Sequence, residues 1–405
     1  MTTRYLQLSQ QNATGVVLTD SSLRFVALST NHGTAIPGQY AELSVPEGCL
    51  KDGVIASKSR FVSFLKTLKK TYKIDSINLV LNSEQIKTAS ISLKTGADLQ
   101  INEAVEKLFS IPAKDVVYEY KVIGGDSDTT VLQVTGLVKK VSEDFVWAFK
   151  QAGITVLSIE PLGHALARDV LPIGSNGTAL VLAIDTRNTT LTYVVNGRVS
   201  ETTILDFSDL AVTDTIMQHL SITAEEADKA KQEQGLIIRH SRTVFDAIAD
   251  ECALFVKHVN HSYITWKTAH PALPAIEGIY LTGAGSTIKG LDDYLSAGLR
   301  VPVKVANVWA NCLSFDDHIP AMPQTVAVRY GAAIGTALMG PHMVNLVPDA
   351  HQRSLYRKHV AKRSGKVLLS FIFGVLVGAL ITWIIAIPAV HSKIFEVLHK
   401  IPTQW

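Results

Sequence analysis

Gly15-Val16-Val17-Leu18-Thr19-Asp20-Ser21-Ser22-Leu23-Arg24 reads as an apolar strand, a polar turn and the start of a second strand that runs on to Leu28. The pattern returns after the turn Gly174-Ser175-Asn176-Gly177. Ala179 to Ile184 is an unbroken apolar run, as expected for a strand buried on both faces. A polar turn, Asp185-Thr186-Arg187-Asn188-Thr189-Thr190, leads into Leu191-Thr192-Tyr193-Val194-Val195, and Asn196-Gly197 closes a second hairpin. Strand, hydroxyl-rich turn and strand thus occur twice, which predicts two α/β lobes, each built on its own hairpin.

Between the hairpins, apolar side chains at 61, 62, 64, 65 and 68 fall on one face of a helix with a basic outer side. A short apolar strand, Ile77 to Leu81, follows it. Residues 82–157 read as a separate patch with strands at Thr88–Leu93 and Thr130–Val138 and helices at Asn102–Phe109 and Ser142–Ala152. A strand at Thr155–Ile159 comes next. Helical patterns at 209–219, 223–234 and 241–267 precede a buried strand, Gly278–Thr282, that runs into the loop Gly283-Ala284-Gly285-Ser286. The expected domains are a first lobe over 1–81 and 158–177, an inserted small α/β subdomain over 82–157, and a second lobe over 178–340 with its own insertion near 205–275.

The formal net charge of +2 conceals an uneven distribution. Arg353, Arg357, Lys358, Lys362, Arg363 and Lys366 lie within residues 351–366 without a single acid. Residues 1–350 carry 30 basic and 35 acidic side chains, a net of −5 and a poor electrostatic match for nucleic acid. Val367 to Ile387 follows with no charge and only Ser370 and Thr382 polar. At about 1.5 Å per residue this stretch measures roughly 31 Å, the thickness of a hydrocarbon core. It is expected to be a transmembrane helix, preceded by a basic juxtamembrane linker (341–366) and followed by a short tail (388–405). The positive-inside rule places residues 1–366 in the cytoplasm and the tail outside. Met1-Thr2-Thr3-Arg4 leads into polar sequence, so no signal peptide is expected. Cys49, Cys252 and Cys312 are too few and too scattered for a disulfide scaffold or a zinc knuckle.

Taken together, the hairpins and the late glycine loop resemble the two-lobed actin-like ATPase fold. Within it the chain is similar to the PilM proteins of type IV pilus assembly, relatives of the division protein FtsA. Gly15 to Arg24 resembles the family's G-I-D-I-G-S-S-S-I-K. Ala152 to Leu162 resembles a second family segment, Glu225 to Lys231 its "eeAe.iK" helix, and Tyr280 to Gly290 its "l.GGgs.l.gl" loop. Val344-Asn345-Leu346-Val347-Pro348 is similar to the I-N-L-L-P peptide of PilN, the protein that PilM binds, where basic residues and a membrane span also follow.

The resemblance implies ATP with Mg²⁺ as cofactor and carries its binding residues onto Ser21, Ser22, Arg24, Asp185, Thr189, Thr190, Asp228, Lys231, Gly283, Gly285 and Ser286. The phosphate side departs from the pattern. The first-loop Asp falls on Val17 and its Gly on Thr19; the second-loop Gly falls on Arg187, which crowds a phosphate that needs close backbone approach. A later Gly-Gly falls on Asp206-Phe207-Ser208. Asp20 is the nearest replacement carboxylate, and the glycine loop reads equally as a tight strand–helix turn. ATP hydrolysis is expected to be weak or absent, and nucleotide binding stays open. His258 and His261 are too few for a metal site.

The expected function is that of a membrane-anchored scaffold in the inner-membrane platform of a type IV pilus system. Its implied partners are PilN- and PilO-like proteins, a motor ATPase or platform protein, membrane lipid and further copies of itself. Asn345, Leu346, Val347 and Pro348 are its partner-binding residues. The short linker from Gly340 to Val344 weighs against their docking in cis; docking in trans would build dimers or chains. A GspL-like component of type II secretion and an ATP-binding, FtsA-like division tether are the alternatives.

Overall fold

β1 (Thr14–Leu18) and β2 (Ser22–Asn31) form the first hairpin, with Val17 opposite Arg24. β3 (Thr34–Ser44) extends it, and a two-stranded ribbon, β4 (Leu50–Lys51) and β5 (Val54–Ile55), follows. The helix α1 (Lys58–Tyr72) buries Phe61, Leu65 and Leu68. Lys69 and Lys70 complement the partial negative charge of its last turn. β6 (Ser76–Leu81) then pairs in parallel with β1. The structure, a computed structural model, describes residues 14–31, 34–83, 85–94, 100–125, 127–271, 273–312, 322–338, 344–357, 375–383, 392–394 and 396.

After β6 the chain builds a separate antiparallel sheet. β7 (Ile86–Lys94), α2 (Gln100–Phe109), β8 (Val116–Gly125) and β9 (Thr129–Val138) give the strand order β7-β9-β8 around Val105, Leu132 and Val134. The sequence reading contains no counterpart of β8. That strand lies at the edge of its sheet, alternates apolar and charged residues, and exposes Tyr120, Val122 and Ile123. The chain returns through α3 (Lys139–Gln151) and β10 (Thr155–Pro161), completing the first-lobe sheet in the order β10-β6-β1-β2-β3. The helix α3 packs against α1 and β10, placing Phe145 and Phe149 in the first-lobe core, so the inserted sheet itself spans Ile86–Val138.

The first lobe ends with α4 (Leu162–Val170); the second opens with the hairpin of β11 (Thr178–Ile184) and β12 (Thr189–Val195) and continues with β13 (Arg198–Leu205). Helices α5 (Asp209–Leu220), α6 (Ala224–Glu233) and α7 (Arg242–Ala269) form its insertion. β14 (Gly278–Thr282), α8 (Leu291–Leu299), β15 (Val303–Val305), α9 (Gln324–Ala327) and α10 (Gly331–Ala337) complete it. Its strand order is β13-β12-β11-β14-β15, which puts the apolar run Ala179–Ile184 at the centre. The helices α4 and α10 cross at the junction of the lobes with their backbones in contact. A Cβ on Gly335 would sit 2.0 Å from the Ala165 carbonyl oxygen, and one on Gly15 would sit 1.9 Å from that of Ala333. Neither position has room for any larger residue.

The described residues up to Pro348 form one compact unit, and those from Asp349 on belong to another. In the second unit residues 349–357 and 375–383 are helical, and Val375, Leu376, Leu380, Ile381 and Trp383 are exposed. Of the expected span, residues 367–374 and 384–387 lie outside the described residues, as do Lys358, Lys362, Arg363 and Lys366 of the basic run. Among the described residues no helix is long and apolar enough to cross a membrane.

Candidate functional site

The residues singled out at the hairpin turns meet at the junction of the lobes, and most of them are already engaged with one another. Arg24, on β2, donates from Nη1 to Asp185 Oδ1 of the second hairpin at 2.7 Å and from Nε to Glu42 Oε1 on β3 at 2.9 Å. Arg329 Nη2 donates to the other Glu42 oxygen at 2.8 Å. Arg24 is only 2% exposed. Burial disfavours its charge, but Asp185 and Glu42 outweigh that and raise its pKa. A guanidinium thus clasps the two lobes and consumes the carboxylate that the second loop would offer to a nucleotide.

The first turn is also self-contained. Thr19, standing where a glycine was expected, accepts the Ser22 N–H on Oγ1 at 3.0 Å. The Ser22 and Thr19 hydroxyls lie 3.0 Å apart. Asp20 accepts the backbone N–H groups of Asp52 and Gly53 at 2.7 and 2.9 Å, so it fixes the β4–β5 ribbon rather than replacing the missing carboxylate. Val17 is buried in the core between the lobes. Ser21 and Asp185 line a cavity of about 240 Å³ together with Thr19, Asp20, Asp52 and Arg187. Ligand pockets ordinarily run to about 300–1,000 Å³. With Asp185 paired to Arg24, Asp20 and Asp52 face the single Arg187 guanidinium there, which leaves no excess of positive charge for a phosphate.

The nucleoside-side residues form a second closed cluster. Lys231, 1% exposed on α6, donates from Nζ to Asp209 Oδ1 and Thr213 Oγ1, each at 2.7 Å, and pairs with Asp228 at 2.8 Å. Burial raises the Asp228 pKa, yet the hydrogen bond and charge of Lys231 prevail and lower it. Thr189 donates to the Phe207 carbonyl at 2.7 Å, while the buried Thr190 hydroxyl has no partner. Gly283 has φ +85, and a Cβ there would lie 2.4 Å from the Ile184 carbonyl oxygen; a Cβ on Gly285 would strike the Ile184 side chain. Ser286 Oγ donates to the Gly283 carbonyl at 2.7 Å. The glycines of this loop are therefore accounted for by its packing on β11. Local sequence pattern did not reveal Glu42, Asp209, Thr213 or Arg329, because each meets its partner only after folding. These residues do not fit Mg²⁺ and ATP in the arrangement seen: Asp185, Asp209 and Asp228 are spent on cations and Asp20 on backbone N–H groups, and Arg187 stands where the resemblance expects a glycine. Among the described residues no cluster of three or more His, Cys, Asp or Glu side chains could hold a metal ion.

The expected partner-binding segment is the best-formed site in the molecule. Val344, Leu346 and Val347 are buried in the first-lobe core with Phe145, Phe149 and Ile159. The Leu346 N–H donates to the Ile159 carbonyl on the free edge of β10 at 2.7 Å. Asn345 Oδ1 accepts the Ile159 N–H at 3.2 Å and the Val347 N–H at 3.1 Å, while Nδ2 donates to the Leu157 carbonyl at 3.3 Å. Ser142 Oγ on α3 donates to the Leu346 carbonyl at 2.7 Å. Across the groove, the Asn345 backbone N–H donates to Glu119 on β8. Pro348 is buried as well. The segment lies in a groove of its own chain, against the sequence expectation that its short linker weighs against cis docking. It caps an edge strand that would otherwise present unpaired backbone groups, in the manner of an added β-strand.

Two lobes with matched hairpin sheets, crossed junction helices and a subdomain inserted in the first define the actin-like class. Residues 15–340 match the family described as type IV pilus assembly protein PilM. The chain belongs to that family. Among solved structures it is similar to a "PilM-PilN type IV pilus biogenesis complex" at 19% identity and a TM-score of 0.65, covering 82% of this chain and 98% of that one. Weaker likenesses run to the ethanolamine utilization protein EutJ of Carboxydothermus hydrogenoformans (15% identity, TM-score 0.49, 82% and 91% covered) and to MreB5 of Spiroplasma citri bound to ADP (13%, 0.41, 75% and 93%).

Proposed function

We propose that this PilM-family chain is a membrane-anchored adaptor of the pilus inner-membrane platform, working by protein binding rather than by ATP hydrolysis. The observation that carries this reading is the docked Val344–Pro348 segment, which resembles the PilN peptide and fills a groove of its own body. Joining peptide and receptor in one chain raises the effective concentration to roughly millimolar. Exposed Val375, Leu376 and Trp383 suit a lipid-facing helix, and the Thr382 hydroxyl is satisfied by the Gly378 carbonyl at 2.7 Å, as an apolar medium requires. The solved neighbour is a complex of PilM with PilN, and on that likeness the remaining partners are PilN-like inner-membrane proteins. The closed clusters at Arg24 and Lys231 support loss of ATPase activity.

Fractionation of cells expressing the full chain tests the anchor. The protein is expected in membranes that resist alkaline carbonate, with its body open to protease only from the cytoplasmic side, and deletion of residues 367–405 is expected to release it. Recovery of the full chain in the soluble fraction would overturn the anchoring. ATP turnover above background by the purified protein would overturn the adaptor reading.

A further inference from the structure

The body encloses a second cavity, of about 500 Å³, that shares no residue with the cleft between the hairpin turns. The connector between the lobes, Leu171 to Asn176, forms one wall; the inserted sheet, α4 and the β12–β13 turn form the rest. Three cationic side chains line it: Lys121 from β8, Arg168 from α4 and Arg198 from β13. Two carboxylates face these three cations: Glu160 pairs with Arg168, and Glu119 lies near Lys121. Glu160 is held by two guanidinium nitrogens of Arg168 at 3.0 and 2.7 Å. Glu119 accepts the Asn345 backbone N–H. Positive charge is therefore in excess. Burial lowers the Lys121 pKa; Glu119 opposes that, and the Arg198 and Arg168 guanidinium groups add to it.

Polar groups without partners point to a ligand as well. Gln133 is 4% exposed and its Nε2 has no hydrogen-bond partner; both ring nitrogens of His164 are likewise buried and unpartnered. Buried polar groups are ordinarily paired, and these three unpaired nitrogens lie on two residues that line one cavity. Apolar surface completes the walls. Leu171 and Val199 line the cavity, and Ile173, a lining residue on the connector, is 87% exposed with nothing covering it.

We propose that this cavity binds a small organic anion of nucleotide size, its phosphate or carboxylate head held by Lys121 and Arg198. The Gln133 amide and the His164 imidazole meet its polar atoms, and Leu171, Ile173 and Val199 cover its apolar part. Because the connector is one wall and the inserted sheet another, an occupant would tie the two lobes at a fixed angle. It would also sit two residues along β8 from Glu119, the contact of the docked segment.

Calorimetry on the full-length protein in mild detergent tests this with three probes: AMP, inorganic pyrophosphate and citrate, the last separating a carboxylate from a phosphate head. At least one is expected to bind with Kd below about 1 mM. Its affinity is expected to fall at least about tenfold in the Lys121→Gln/Arg198→Gln double variant and to stay unchanged in Ser21→Trp, which fills the other cleft. Ile173→Glu, on an exposed side chain that folding does not need, is expected to weaken binding too and serves if the double variant fails to fold. Absence of binding by all three probes, binding that survives the charge-removing variants, or binding lost in Ser21→Trp would each overturn the proposal.

Discussion

Arg24 shows how one side chain redirects a site. A guanidinium presents several donors in a rigid fork, so it reaches Asp185 in one lobe and Glu42 in the other at once, whereas a lysine ammonium is a single point charge. Replacing Arg24 by Met leaves the partly buried Asp185 without its cation, while Glu42 keeps Arg329. Such truncations cost about 3–5 kcal/mol in the interior; Glu42 retains some solvent, so about 3 kcal/mol is expected here. Urea denaturation of Arg24→Met and Arg24→Lys checks this: both variants are expected to be less stable, with Lys recovering only part of the loss. Full stability in Arg24→Met would mean that the clasp contributes nothing.

At the scale of elements, the edge strand β8 serves two places: it carries Glu119 to the docked segment and Lys121 to the basic cavity. Burial pushes Glu119 from its ordinary 4.5 up to about 7, against the lowering effects of the Asn345 N–H and Lys121. The folded protein keeps that proton up to about pH 7, while the unfolded chain releases it near 4.5. Stability from this group is therefore full below about pH 4.5 and is lost as pH rises through 7, an effect of about 3 kcal/mol. Glu119→Gln, which keeps the acceptor and removes the charge, is expected to melt several degrees above the unmodified protein at pH 8 and to match it at pH 4.5. An equal difference at both values would show that ionisation of Glu119 is not the cause.

Across the whole molecule, the groove beside β10 is filled by a segment that follows the second lobe and ends the body at Pro348. Val344, Leu346 and Val347 are shut off from solvent, and burying three aliphatic side chains is worth several kcal/mol at about 1.5–3 kcal/mol each. A body cut after Leu338 is therefore expected to melt lower than one cut after Arg357. It should recover on addition of a synthetic 344–357 peptide, while the longer body ignores that peptide. Equal melting temperatures for the two bodies would rule out a structural role for the segment.

Periodicity and turn chemistry, which are local, determined the two hairpins and the helices of the second-lobe insertion. The departures from the ATPase pattern at Val17, Thr19 and Arg187, and Asn345 to Pro348 as a binding segment, came from the resemblance to the PilM and PilN sequences. Only the tertiary structure decided what these residues touch. Arg24 and Asp185, Lys231 and Asp209, and Asn345 and Ile159 are brought together by lobe packing rather than by chain proximity, so no spacing in the sequence announces the pairs. The edge strand β8 escaped notice for a related reason: half of its side chains face solvent, and its role lies in contacts with segments far along the chain. The occupant of the groove was decided the same way, because cis docking depends on where the end of the second lobe comes to rest in three dimensions.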